Sequence, residues 1–108
     1  MPSQKSYLQF VLEQLSAVEE ISSRPMMGEY VIYCQGKVVG GVYDDRFLLK
    51  PTPSALRLLE ENEKEIIMDL PYPGAKELLV ADVDDRELIC RLVSAIAADL
   101  PSPKKKKS

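Results

Sequence analysis

The spacing of hydrophobic and polar positions along the chain predicts three helices. Hydrophobic side chains recur every three or four residues from Ser6 to Val18, which is the spacing of one face of an amphipathic helix. A second, shorter stripe follows Thr52, which is suited to cap a helix because its side-chain oxygen can accept a backbone N–H. The third and clearest stripe runs from Leu88 to Leu100, with Asp84 as its expected cap.

Between the first two helices the pattern changes to runs that are typical of strands. Tyr30–Cys34, Val38–Tyr43 and Arg46–Lys50 are rich in β-branched and aromatic residues. Pairs of turn-forming residues, Gln35-Gly36 and Asp44-Asp45, separate these runs. Two-residue turns at both places predict a three-stranded antiparallel meander.

The order of these elements favours an α+β fold. Brief apolar runs at Ile66–Leu70 and Leu78–Val83 predict one or two further strands before the last helix. The resulting order of helix, three strands, helix, one or two strands and helix is typical of a two-layer domain with helices on one face of an antiparallel sheet. We expect residues 1–100 to form this single domain and residues 101–108 to form a disordered basic tail.

The predicted register of the meander divides its side chains between two faces. The cross-strand pairs expected from two-residue turns are Tyr33–Val38, Val31–Gly40, Val42–Phe47 and Gly40–Leu49. One face is then uncharged and packs under the helices. The other face combines apolar residues with cations at its edge, namely Tyr30, Ile32, Val39 and Leu48 with Lys37, Arg46 and Lys50. An apolar patch with a polar rim is typical of a docking site, so this face is a candidate surface for a protein partner or a second copy of the chain.

Composition excludes several classes of chemistry. The 108 residues contain no histidine, which removes mechanisms that need an imidazole base and most catalytic zinc sites. Two cysteines are too few for a disulfide framework or a four-thiolate metal site. We therefore predict no catalytic residue, no cofactor and no metal.

The charge balance disfavours nucleic acid as a direct partner. Four of the 14 basic residues are Lys104–Lys107, so the rest of the chain carries ten basic and 17 acidic residues. Nucleic-acid binding requires lysine and arginine to displace counterions from phosphates, and an acidic domain does this poorly. The chain has no apolar run long enough to span a bilayer and no basic-then-apolar start typical of a signal peptide. We expect a cytoplasmic protein with reduced thiols.

A second hypothesis is a small domain that binds an anionic ligand or acts on it as an enzyme. The candidate contacts are Arg24, Lys50, Tyr72 and Lys76. This hypothesis requires at least two of the cations to converge on one pocket, whereas each of them can instead anchor a loop by donating to backbone carbonyls.

Several stretches together resemble the N-terminal domain of the TfoX (Sxy) family. They are Arg24-Pro25-Met26-Met27-Gly28, Tyr30–Tyr33, Gly36, Asp44–Lys50, Tyr72–Lys76 and Val83–Leu88. The resemblance implies a fold of helix, three strands, helix, two strands and helix, similar to type III secretion chaperones. It also implies a link to bacterial competence regulators, which act with the cyclic-AMP receptor protein. We expect a stand-alone N-terminal domain without the regulators' C-terminal domain, and we interpret it as a non-enzymatic interaction or regulatory module.

Overall fold

A computed structural model describes residues 4–101, which form three helices and one six-stranded sheet. The helices are α1 (Lys5–Gln14), α2 (Pro53–Glu61) and α3 (Arg86–Asp99), and the strands are β1 (Ile21–Met26), β2 (Glu29–Cys34), β3 (Lys37–Tyr43), β4 (Arg46–Leu49), β5 (Met68–Asp69) and β6 (Leu78–Val80). Every strand pair is antiparallel, in the order β1-β2-β3-β4-β6-β5. The predicted α+β class is confirmed. Residues 102–108, which include the expected basic tail, lie outside the described part of the chain.

Strand β1 is an element that the sequence pattern did not predict. Its residues, Ile21–Met26, include two serines and Pro25, and they show no clear alternation of apolar and polar side chains. The strand pairs along its length with β2 and forms one edge of the sheet. Proline is tolerated on an edge strand because its missing N–H need not break a ladder. The predicted three-stranded meander therefore has a fourth strand.

Three consecutive hairpins connect β1 to β4 through two-residue turns. The turns are Met27-Gly28, Gln35-Gly36 and Asp44-Asp45, and all six residues have positive φ between 51° and 85°. This is the conformation of type I′ turns, which follow the natural twist of paired strands. The second and third turns were predicted and are confirmed. The first was missed because methionine is unusual in a left-handed backbone conformation.

A β-bulge shifts the register between β2 and β3. Ile32 pairs with Gly40, so the predicted pairing of Val31 with Gly40 is wrong. Val39 is the extra residue of the bulge, and both Val39 and Ile32 join the core beneath the helices. The other predicted pairs, Tyr33–Val38, Val42–Phe47 and Gly40–Leu49, are confirmed. A turn fixes register only at its own end of a hairpin, which is why the turns did not reveal the bulge.

The three helices pack on one face of the sheet, and hydrogen bonds hold the end of α3 against the start of α2 and against β3. The carboxylate of Asp99, in the last turn of α3, accepts the backbone N–H and the hydroxyl of Ser54 at 2.8 Å each, at the start of α2. Lys37 donates to the carbonyl oxygen of Ala97 at 2.7 Å, where a cation complements the helix dipole. The cap of α3 is Asp85, so the predicted cap at Asp84 is wrong by one residue.

The first helix ends earlier than its apolar stripe indicates. Helix α1 ends at Gln14, whereas the pattern predicted a helix to Val18. Leu15 is fully buried and Val18 packs against the core from the turn that follows. The apolar pattern therefore predicts correctly that Leu15 and Val18 contact the core, although the helix has already ended before them. None of the helices between residues 4 and 101 has the length and apolar character needed to cross a bilayer.

Candidate functional site

The sheet face opposite the helices is covered by the chain itself, contrary to the prediction of an open face. Leu48 lies on this face and is fully buried, and Tyr43 is 8% exposed. The ring of Tyr43 occupies the space beside Gly41, where a Cβ would come within 2.6 Å of the tyrosine Cε2. The ring of Tyr72 packs edge-on against Tyr43 with 6.2 Å between ring centroids. The segment after β5 thus lies against the middle of the outer face.

Arg46 bonds the segment after β5 to the sheet. Its Nε donates to the carbonyl oxygen of Tyr43 at 3.1 Å, and its Nη1 donates to the carbonyl oxygen of Leu70 at 3.1 Å. The same Nη1 forms a 2.6 Å ion pair with Asp69. The Leu70 backbone N–H and the Arg46 guanidinium together lower the pKa of Asp69 below its usual value. Arg46 therefore acts as a structural clamp, although the sequence suggested that it was part of a rim around a docking face.

These contacts correct the candidate partner surface. Ile32, Val39 and Leu48 are fully buried, so no partner can touch them in the folded chain. Tyr30 is half-buried and packs against the core. Lys50 is half-buried, and its backbone N–H is bonded to the carbonyl oxygen of Val39. The predicted surface is therefore wrong as an exposed apolar patch.

Several exposed apolar residues instead lie at one end of the outer face. The β1–β2 turn and the segment after β5 enclose a cleft of about 510 Å³, which we call the methionine cleft. Its lining residues are Met26, Met27, Glu29, Tyr43, Pro71 and Tyr72. Its exposed members include Met26 (41% exposed), Met27 (97%) and Tyr72 (54%). A neighbouring hollow shares Glu29, Pro71 and Tyr72, and its other lining residues include the exposed Leu70 and the charged Asp44 and Arg46.

Met27 is the least expected residue of the methionine cleft. It is almost fully exposed, so it gains nothing from burial, and its φ of 51° is a conformation that favours glycine or asparagine. An exposed side chain on a backbone conformation that costs stability makes Met27 a candidate for a role outside the fold. The glycine of Met27-Gly28 indicates a turn before β2. This turn was not recognised in the sequence because β1, the strand before it, was not predicted.

Hydrogen bonds and burial set the electrostatics of the methionine cleft. The carboxylate of Glu29 accepts the backbone N–H of Asp44 at 3.1 and 3.2 Å, which ties the third turn to the start of β2. Burial raises the pKa of the Tyr43 phenol, and the neighbouring Tyr72 and Glu29 raise it further. The phenol is therefore neutral at physiological pH and is not a base. The cleft offers an apolar surface and positioned rings, which suit binding.

The candidate anion contacts do not share a pocket. Arg24 is exposed on β1, with its guanidinium 6.0 Å from the centre of the Tyr33 ring, and Lys76 is exposed after the 71–74 turn. Neither the methionine cleft nor the hollow beside it is lined by Arg24, Lys50 or Lys76. Tyr72 belongs to the methionine cleft. The anion site stays a prediction, without a described cleft to hold the anion.

The two cysteines are shielded. Burial raises the pKa of the Cys34 thiol, and the carboxylate of Glu20 raises it further. Burial also raises the pKa of Cys90, against the opposing charge of Arg86, and its thiol donates to the carbonyl oxygen of Gln14 at 3.2 Å. Raised thiol pKa values disfavour the reactive thiolate. Across the described residues, no three cysteine, aspartate or glutamate side chains gather in a group that would hold a metal.

The molecule is thus a small α+β domain with an apolar cleft on its outer sheet face. Residues 13–98 match the model of the TfoX N-terminal domain, and the chain belongs to that family. An uncharacterized 12.7 kDa protein from the trpE 5′ region of Spirochaeta aurantia is 38% identical over 110 residues, which cover 100% of this chain and 92% of that protein. Two stretches that carried the resemblance, Arg24–Gly28 and Tyr72–Lys76, border the methionine cleft.

Proposed function

We propose that this domain is a non-catalytic regulatory module that binds a protein partner in the methionine cleft. The observation that carries the proposal is Met27, which is 97% exposed and held in a left-handed conformation at the mouth of the cleft. Selection for stability alone favours asparagine or glycine at such a turn position. A methionine there is explained by contacts with a partner.

The chemistry of the cleft suits an apolar side chain of a partner protein. Methionine side chains are flexible and polarizable, and they adapt to varied apolar surfaces. Tyr72 offers a half-exposed ring that is held in place by its packing on Tyr43, and tyrosine is enriched among residues that dominate binding energy. The acidic balance of the chain disfavours phosphate backbones as the occupant. The family's link to competence regulators supports a regulatory role for such binding.

The test compares the wild-type domain with two cleft variants as immobilised baits in bacterial extract. Met27→Asn removes the exposed thioether, and Tyr72→Ala removes the exposed ring. We expect each variant to capture at least about tenfold less of a partner that the wild type captures in stoichiometric amount, because central interface contacts dominate affinity. A second copy of the chain counts as a partner, and sedimentation velocity distinguishes that outcome.

The matched control is Phe10→Gln, which removes apolar surface that is 36% exposed on α1, away from the outer sheet face. We expect this variant to capture the partner as the wild type does. Equal capture by the wild type, Met27→Asn and Tyr72→Ala would contradict the proposal. So would an equal loss in the Phe10→Gln control, because the binding would then depend on general hydrophobicity.

A further inference from the structure

A second cavity lies on the other side of the sheet, between β6, α2 and α3, and it is separate from the methionine cleft. Its volume is about 200 Å³. We call it the leucine cavity because five leucines line it, namely Leu49, Leu59, Leu79, Leu88 and Leu92. Each of these leucines is at most 8% exposed. The cavity therefore reaches from the surface into the core, and it shares no residue with the methionine cleft.

A pocket of about 200 Å³ that reaches between buried leucines is uncommon in a small domain. Protein interiors are close-packed, and voids larger than a water molecule are few. An apolar hollow of about 150 Å³ in another protein stays dry and accepts benzene. The leucine cavity has a larger volume than that hollow, and it is open to water where Lys64, Glu65 and Asp82 line it, while its inner walls are leucines. It thus has the volume and lining for one small apolar molecule.

Charged side chains surround the mouth of the leucine cavity. Lys64, Glu65 and Asp82 line it and are exposed, and Ile67 lies beside them at 49% exposure. Lys64 forms a 3.3 Å ion pair with Asp85, the cap of α3. These side chains are exposed, whereas the leucines behind them are buried. A charged ligand would have to be desolvated among leucines, which is costly, whereas an uncharged one is not penalised in this way.

We propose that the leucine cavity is a binding site for a small uncharged apolar molecule, of about the size of one substituted aromatic ring. Entry is from the side of the segment 64–67, which follows α2 and carries no regular secondary structure. The neighbouring strand β5 has only two residues and forms the sheet edge. The segment is held to β6 by that short strand and by the Val80 backbone N–H, which donates to the carbonyl oxygen of Ile67 at 2.8 Å. The site is independent of protein binding in the methionine cleft.

The test titrates toluene into the ¹⁵N-labelled wild-type chain and follows the backbone amides by NMR. We expect saturable shifts centred on Leu79, Val80, Ala81 and Leu88, with a dissociation constant of about 1 mM or tighter. Thermal unfolding in saturating toluene gives a second readout, because a ligand that binds only the folded chain raises Tm. Shifts that do not saturate, or that centre on Met26, Met27 and Tyr72, would overturn the proposal.

A filling variant provides the specific control. Ala81 follows the buried Leu79 by two residues, so its side chain points to the same side of the sheet, and it lines the cavity. Ala81→Leu is expected to weaken toluene binding by at least about tenfold, because the added carbons occupy the same space. Ala98→Leu adds the same bulk at an exposed position of α3 and is expected to leave toluene binding unchanged. Wild-type affinity in Ala81→Leu would overturn the proposal, and the wild-type shift map remains a test if that variant does not fold.

Discussion

Replacing Met27 with asparagine is expected to stabilise the fold, which is unusual for a change that is also expected to abolish function. The side chain is 97% exposed, so the variant loses almost no buried apolar surface. A left-handed conformation costs an ordinary residue roughly 1–2 kcal/mol, and asparagine avoids part of this cost by local hydrogen bonding. We expect a gain of about 0.5–1 kcal/mol, which corresponds to a rise in Tm of about 2–6 °C for a domain of this size.

Thermal and urea unfolding followed by circular dichroism measure this gain. The matched control is Met26→Asn, at the neighbouring position in β1, where φ is not positive and the side chain is 41% exposed. This control is expected to leave Tm unchanged or to lower it, since it removes apolar contact without relieving strain. A Met27→Asn variant with a lowered Tm would refute the reasoning that Met27 costs stability. The case for a functional methionine at this turn would then be lost.

Four further variants test other parts of the account. Gly40→Ala is expected to destabilise the domain by about 1–3 kcal/mol or more, because its Cβ would overlap the Leu48 carbonyl oxygen; an unchanged urea midpoint would contradict the register. Glu63→Gly is expected to raise stability by about 0.5–1 kcal/mol in the same assay, because Glu63 has a φ of 55° just beyond the end of α2, where glycine is favoured; a loss of stability would count against this. Leu48→Ala is expected to cost about 2–5 kcal/mol, whereas a cost near zero would mean that the outer face is open. The Ser54 backbone N–H and hydroxyl lower the pKa of Asp99 below 3.8. The Asp99 carboxylate therefore stabilises the fold above that pH, and this stabilisation is lost as the pH falls through the lower pKa of the folded state. Acid unfolding of Asp99→Asn is expected to depend less on pH in this range, and a pH profile identical to that of the wild type would refute the prediction.

The sequence was sufficient to predict the elements whose conformation is decided by residues close together in the chain. A few neighbouring residues specify each of these elements. Examples are the turns Gln35-Gly36 and Asp44-Asp45 and the apolar stripe of α3. Strand β1 was missed because its β structure comes from pairing with β2, while its own residues include serines and Pro25. The bulge at Val39 was missed for the same reason, since register away from a turn is decided by packing.

The candidate site was predicted incorrectly because it depends on contacts between distant segments. The outer sheet face was expected to be exposed, but Arg46 holds the segment after β5 across it through Leu70. Arg46 also pairs with Asp69, and the Tyr72 ring packs on Tyr43, on the face where Leu48 is fully buried. The two borders of the methionine cleft are about 45 residues apart in the chain. No pattern within either stretch indicates the other, although both had already been singled out by the family resemblance.

The most direct test of the account is site-specific photo-crosslinking inside bacterial cells. A photoreactive phenylalanine analogue is placed at Met27 in one sample and at Phe10, on α1, in the other. If a partner docks in the methionine cleft, we expect one discrete protein adduct at position 27, which excess wild-type domain competes away and excess Tyr72→Ala does not. The same adduct at both positions, or none at position 27, would contradict docking in the methionine cleft.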